Sequence, residues 1–193
     1  MNERSIDNSV SIDKDPAAAG PLAQASYRAV SGNREVDPAL AAACRQAAAE
    51  GLVLLKNDNN CLPLSNNEKI AVFGRVQHDY MYVGYGSGGD VNPPYTVSLI
   101  EGLEANGRVQ LDRELVEIYR KWSAANPPFE GFWADWPRYF DEMPISQEMV
   151  KQAAARNDKA IVVIGRAAGE DRENVLEPGS FYLTADEKQL LDQ

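Results

Sequence analysis

The chain is poor in the residues that build metal sites and covalent frameworks. It has one histidine, His78, and two cysteines, Cys44 and Cys61, among 193 residues. One imidazole and no close cysteine pair argue against a metal centre. So few cysteines point to a reducing compartment, although they leave a single disulfide open. Apolar runs such as Leu52–Leu55 and Ala160–Ile164 fall far short of the ~20 residues of a membrane helix. Behind Met1–Asp7 there is no hydrophobic segment of the kind a secretory signal needs, and a cytoplasmic location is expected. Positive charge is also scarce: 19 Lys and Arg face 29 Asp and Glu, a net charge of −10. That balance repels phosphates, so neither nucleic acid nor an anionic membrane is an expected partner.

What is present is a globular composition, 44% hydrophobic and 25% charged. Residues 1–36 read as a leader, extended or partly disordered, and the folded part is expected over 37–193. Asp37-Pro38 reads as a helix cap and first helical residue, with Leu40, Cys44 and Ala47 on one face. Leu52–Leu55 reads as a short buried strand, Asn57–Asn60 as a turn and Lys69–Gly74 as a strong strand. A helix is expected around Val97, Ile100 and Leu103, a weak strand at Val109–Leu111, and a helix carrying Leu115, Ile118, Tyr119 and Trp122. Ser146 caps a further helix, Lys159–Gly165 is the second strong strand, and Thr184 with Glu187 forms a capping box for a last helix. Alternating helices and continuously apolar strands predict an α/β fold: a mostly parallel sheet covered by helices. The number of strands is small for such a sheet, so a partial α/β sandwich truncated at its C-terminal end is expected.

Three segments could carry chemistry. Gly84–Asp90 holds Gly84, Gly86, Ser87, Gly88 and Gly89 after a strong strand. Glycines allow close backbone approach to a ligand, but the spacing matches neither the dinucleotide fingerprint nor the P-loop, and a plain turn-rich loop fits equally. Phe129–Phe140 packs six aromatics into twelve residues, Trp133 and Trp136 among them, beside Glu130, Asp135, Asp141 and Glu142. Flat rings beside carboxylates suit a sugar, while the same rings could cover a neighbouring domain. Finally, Gly165–Asn174 sets Glu170 and Asp171 between Arg166 and Arg172 after a strand. Adjacent charges of both signs can tune a carboxyl for acid/base work, although such runs are often only solvated loops.

In their order and spacing these segments resemble glycoside hydrolase family 3, over about Ala47 to Leu191. The resemblance is carried by Ala48–Asn57, Leu62-Pro63-Leu64, Lys69–Gly74, Gly86-Ser87-Gly88, Ser98–Leu103, Ala160–Arg166, Gly169-Glu170 and Phe181–Thr184. It implies the α/β sandwich domain of a bacterial β-glucosidase, acting on β-glucosides or short oligosaccharides by retention with two carboxyl groups. No cofactor is implied, because the carboxyls suffice. The implied nucleophile is an Asp on a (β/α)8 barrel domain, which nothing in this chain resembles. The implied acid/base is Glu170, with Ser87, Asp171 and Arg172 as sugar-binding residues beside Trp133 and Trp136 of the aromatic patch. Many members read Gly-Glu-Gly where Asp171 here follows Glu170 directly, which leaves Glu173 as the alternative. A sandwich starting near residue 37 resembles the subgroup in which the sandwich precedes the barrel. A non-catalytic carbohydrate-binding or interdomain module is the rival reading.

Overall fold

The computed structural model describes residues 36–81, 95–128, 137–167 and 174–193. Its central strand is β1, Lys69–Phe73, flanked in parallel by β2, Gln110–Leu111, and β3, Lys159–Val162, in the order β2-β1-β3. The register pairs Ile70 with Leu111 on one side and Phe73 with Val162 on the other. Helix α1 spans Pro38–Glu50, α2 Leu99–Asn106, α3 Arg113–Ala125, α4 Gln147–Arg156 and α5 Ala185–Asp192. The parallel sheet with helices is the expected fold class.

Local signals set most helix starts. Asp37 accepts the amides of Ala39 and Leu40 ahead of Pro38. Ser98 with Glu101, and Thr184 with Glu187, close reciprocal capping boxes on α2 and α5. Each such cap satisfies amides that have no partner inside the helix, worth about 1 kcal/mol. Gly107, at φ 65°, ends α2 in the left-handed conformation that glycine adopts without strain.

The pleat of β1 sends alternate side chains to two cores. Ile70 and Val72 pack with Ile100 of α2 on one face, joined by Val116. Ala71 and Phe73 pack with Leu115 and Tyr119 of α3, Ala153 of α4 and Leu190 of α5 on the other. Each fully buried side chain of this size contributes about 1.5–3 kcal/mol, so the centre of the fold is these two layers around β1.

Two expectations are corrected. Leu52–Leu55 is not a buried strand: it forms no ladder among the described residues, and its side chains are 61–91% exposed. Its apolar character is that of a strand, but no described residues lie against it to bury or pair it. The second strong strand is buried less than its apolar run predicts. Among the described residues it pairs only with β1, and Val162 and Ile164 stay 39% and 36% exposed. Helix α1 forms as expected but buries none of its residues, so its apolar stripe makes no core. Cys44 and Cys61 are both exposed free thiols, so no disulfide joins them. Residues 1–35 of the expected leader lie outside the described residues.

Candidate active-site crevice

The connection from β1 to β2 runs through α2 on one face of the sheet; the connection from β2 to β3 runs through α3 and α4 on the other. The chain therefore reverses its winding between β1 and β3. In open parallel sheets, the crevice outside the carboxyl ends of two such strands is where ligands bind. Here that crevice starts at Gly74 and Arg75 after β1, and at Gly165 and Arg166 beyond β3.

Glycine is required at this point. Gly74 has φ 102°, and a Cβ on it would lie 2.1 Å from the Val163 carbonyl oxygen. A Cβ on Gly165 would lie 2.6 Å from Val76 Cγ1. The amide of Val163 meanwhile donates to the Phe73 carbonyl at 2.9 Å, extending the β1–β3 ladder to the lip of the crevice.

Below the β1 end lies a buried polar knot. Arg75 is 3% exposed. Its Nε donates to Asp79 Oδ2 at 2.8 Å, one terminal nitrogen donates to the Asp141 carbonyl at 3.0 Å, and the other to the Asn126 carbonyl. The guanidinium lies 4.9 Å from the Trp122 ring centre and 5.7 Å from that of Phe140, within cation–π range. The Arg75 amide donates to both oxygens of Glu142, and Oε1 also accepts the Met143 amide. Burial raises the Glu142 carboxyl above its ordinary range, against these amides and the Arg75 charge. This knot ties the end of β1 to the end of α3 and to residues 141–143.

A second knot holds the β3 end. Arg166 forks onto Glu187, at 2.5 Å to Oε1 and 2.6 Å to Oε2. Its Nε donates to the Ser180 carbonyl at 3.1 Å, and its guanidinium carbon lies 6.0 Å from the Tyr139 ring centre. Burial alone would raise the Glu187 carboxyl, but the Arg166 guanidinium and the Thr184 amide outweigh it and hold it below its ordinary range. Next door, the Ala167 amide donates to the Arg138 carbonyl at 2.8 Å.

Between the knots, Pro127, Pro128, Pro137, Tyr139, Phe140 and Pro178, with Arg75, Arg138, Asp141 and Glu177, line a cleft of about 490 Å³. The lining mixes rings and proline faces with the charged side chains of Arg75, Arg138, Asp141 and Glu177. Of the aromatic patch, Tyr139 and Phe140 are brought to this cleft, and Gly179, at φ 80°, packs so tightly that a Cβ would lie 2.1 Å from the Tyr139 ring.

Ser87, Trp133, Trp136, Glu170, Asp171, Arg172 and the alternative Glu173 all lie outside the described residues. The sequence reading named Glu142 only as a carboxylate beside the aromatic patch, Tyr119 only as a helix-face residue and Glu187 only as a cap, and did not name Arg75. The partners that join them across the fold lie 21 to 67 residues away, beyond any local pattern. His78 is half-buried, with its ring nitrogen 3.4 Å from the Val116 carbonyl, and burial lowers its proton affinity. Among the described residues no group of three or more His, Cys, Asp or Glu is placed to hold a metal, and no helix is long and apolar enough to cross a membrane.

Residues 52–193 match the model of the glycosyl hydrolase family 3 C-terminal domain. A β-glucosidase of Ruminococcus albus is 42% identical over 144 residues, covering 74% of this chain and 15% of that protein. A β-glucosidase crystal structure from Paenibacillus barengoltzii aligns at a TM-score of 0.74 with 49% identity, over 77% of this chain and 16% of that one. β-Glucosidase 3B of Thermotoga neapolitana, solved in complex with glucose, aligns at 0.68 with 33% identity, over 80% of this chain and 22% of that one. The chain thus spans between about a seventh and just over a fifth of the length of these relatives.

Proposed function

The chain belongs to glycosyl hydrolase family 3, as part of its C-terminal α/β domain, and on that premise we propose that it serves a retaining β-glucosidase. In this reading the folded part starts near residue 37 and works against a (β/α)8 barrel domain of the same enzyme. The barrel supplies the carboxylate nucleophile. This chain supplies Glu170, which protonates the departing glycosidic oxygen and then takes a proton from the water that releases the sugar. Ser87, Asp171, Arg172, Trp133 and Trp136 bind the carbohydrate, the indoles through stacking on its C–H faces.

The observation that carries this reading is the reversal of winding between β1 and β3. It sets Arg166, four residues before Glu170, at the carboxyl end of a strand beside the end of β1, where a sheet of this kind receives its ligand. Tyr139 and Phe140, the two described rings of the aromatic patch, line the adjoining cleft.

Glu170→Ala in the barrel-containing enzyme tests the assignment. Loss of an acid/base group is worth ~10²–10⁴-fold. Alkyl β-glucosides, whose leaving oxygen needs a proton, lose that much in kcat/KM, whereas a dinitrophenyl β-glucoside keeps its first step and stalls in the second. Azide, which attacks without a base, restores turnover and yields a β-glycosyl azide. The same pattern in Glu173→Ala, with Glu170→Ala near the unmodified enzyme, moves the role to Glu173. No azide response in either variant refutes the reading and favours a non-catalytic carbohydrate module.

A further inference from the structure

Arg166 uses its guanidinium in an unusual number of ways for a residue at a strand end. It forks onto the Glu187 carboxylate, donates to the Ser180 and Gly165 carbonyls, at 3.1 and 2.8 Å, and reaches the Tyr182 carbonyl at 3.4 Å. Glu187 is only 5% exposed. The capping of α5 does not need Arg166, since the Thr184 amide to Glu187 Oε2, 2.8 Å, and the Glu187 amide to Thr184 Oγ1, 3.2 Å, already close the box. What the fork adds is a link between that helix start and the chain leaving β3. The neighbours are fixed as well: Gly165 is wedged on Val76, and Ala167 is bonded to Arg138. Three consecutive residues are thus held from three directions immediately before the chain runs on towards Glu170.

We propose that Arg166 is a positioning residue for the hydrolytic reaction: through its fork on Glu187 it fixes the place and direction from which the chain carrying Glu170 leaves β3. This rests on the reading of Glu170 as the acid/base. A planar guanidinium holding both carboxylate oxygens sets an orientation that a point charge cannot, so lysine is a poor replacement. Proton transfer is steep in geometry, and a misplacement of about 1 Å costs on the order of 10²-fold.

The test compares Arg166→Gln, Arg166→Lys and Glu187→Gln with Glu170→Ala in the barrel-containing enzyme, on a series of β-glucosides of rising leaving-group acidity. Glu187→Gln keeps an oxygen for the cap and is the variant to rely on if the arginine changes prevent folding. The expected result is a loss of kcat/KM of order 10²-fold on alkyl glucosides and of under about threefold on the dinitrophenyl glucoside, with partial azide rescue. A purely structural role lowers the folded fraction and so scales every substrate alike. A uniform loss, or none, in all three variants overturns the positioning role while a leaving-group-dependent Glu170→Ala leaves the acid/base reading standing. If Glu170→Ala itself shows no such dependence, the acid/base reading fails and the positioning role fails with it.

Discussion

The phenol oxygen of Tyr119, on α3, accepts the backbone amide of Gly74 at the end of β1, at 3.0 Å, with the tyrosine wholly buried. The bond fixes the first residue of the crevice from beneath. Burial pushes the phenol well above its ordinary pKa, so it stays neutral. Tyr119→Phe keeps the ring packing and leaves the Gly74 amide unpaired. The expected loss is about 1–3 kcal/mol of stability, read as a lower urea midpoint. An unchanged midpoint would show that Gly74 finds another acceptor.

Three glycines should answer alanine differently. Gly74→Ala meets backbone, the Val163 carbonyl, at a positive φ, and should abolish folding. Gly165→Ala meets the Val76 side chain, which can shift, so a folded but weakened protein is expected. Gly102 lies inside α2 with nothing within 4 Å of a new Cβ, so alanine there should stabilise by roughly 0.5–1 kcal/mol. Thermal melts of the three variants check the order, and a folded Gly74→Ala protein would refute it.

Glu142 and Glu187 are shifted in opposite directions, so their variants should diverge with pH. The Glu142 carboxyl is raised by burial from an ordinary 4.5, so its contribution to stability is complete below that value and is lost as pH rises through the folded value. Glu187 is held down: its contribution is present above 4.5 and is lost as pH falls through the folded value. Relative to the unmodified protein, Glu142→Gln should therefore gain in melting temperature as pH rises from about 4 to 7, and Glu187→Gln should lose. Parallel trends in the two variants would contradict the opposite shifts.

On the proposed division of labour, the 193-residue chain alone should not hydrolyse aryl β-glucosides, because the nucleophile is supplied by the barrel. A spectrophotometric assay of purified protein checks this. Turnover above an empty-vector preparation, abolished by a substitution within this chain, would place both carboxyls here.

The parts of the fold legible in the sequence are those governed by neighbours in the chain. Asp37, Ser146 and Thr184 each cap the helix expected from their position, because capping is decided within three residues. Strand β1 was legible because its apolar run is buried on both faces by helices that the sequence also shows. Leu52–Leu55 carries the same kind of run and misleads, since burial needs a partner that periodicity cannot supply. The site divides likewise. The Gly165-Arg166 step after β3 was visible as a motif. The fork of Arg166 on Glu187 and the Glu142 grip on the Arg75 amide were not, because each joins separate elements across the fold.

The crowding at Gly74 and Gly165 has an evolutionary consequence. With the Val163 backbone against Gly74 and the Val76 side chain against Gly165, a side chain is barred at the first position and costly at the second. On the proposed reading, relatives that diverge in the glycoside they accept are expected to vary the segments hung from these strand ends while the strand ends themselves stay fixed. Sequence drift in the family should therefore spare these two positions and concentrate a few residues downstream of each, which makes those downstream positions the ones to randomise when selecting for altered specificity.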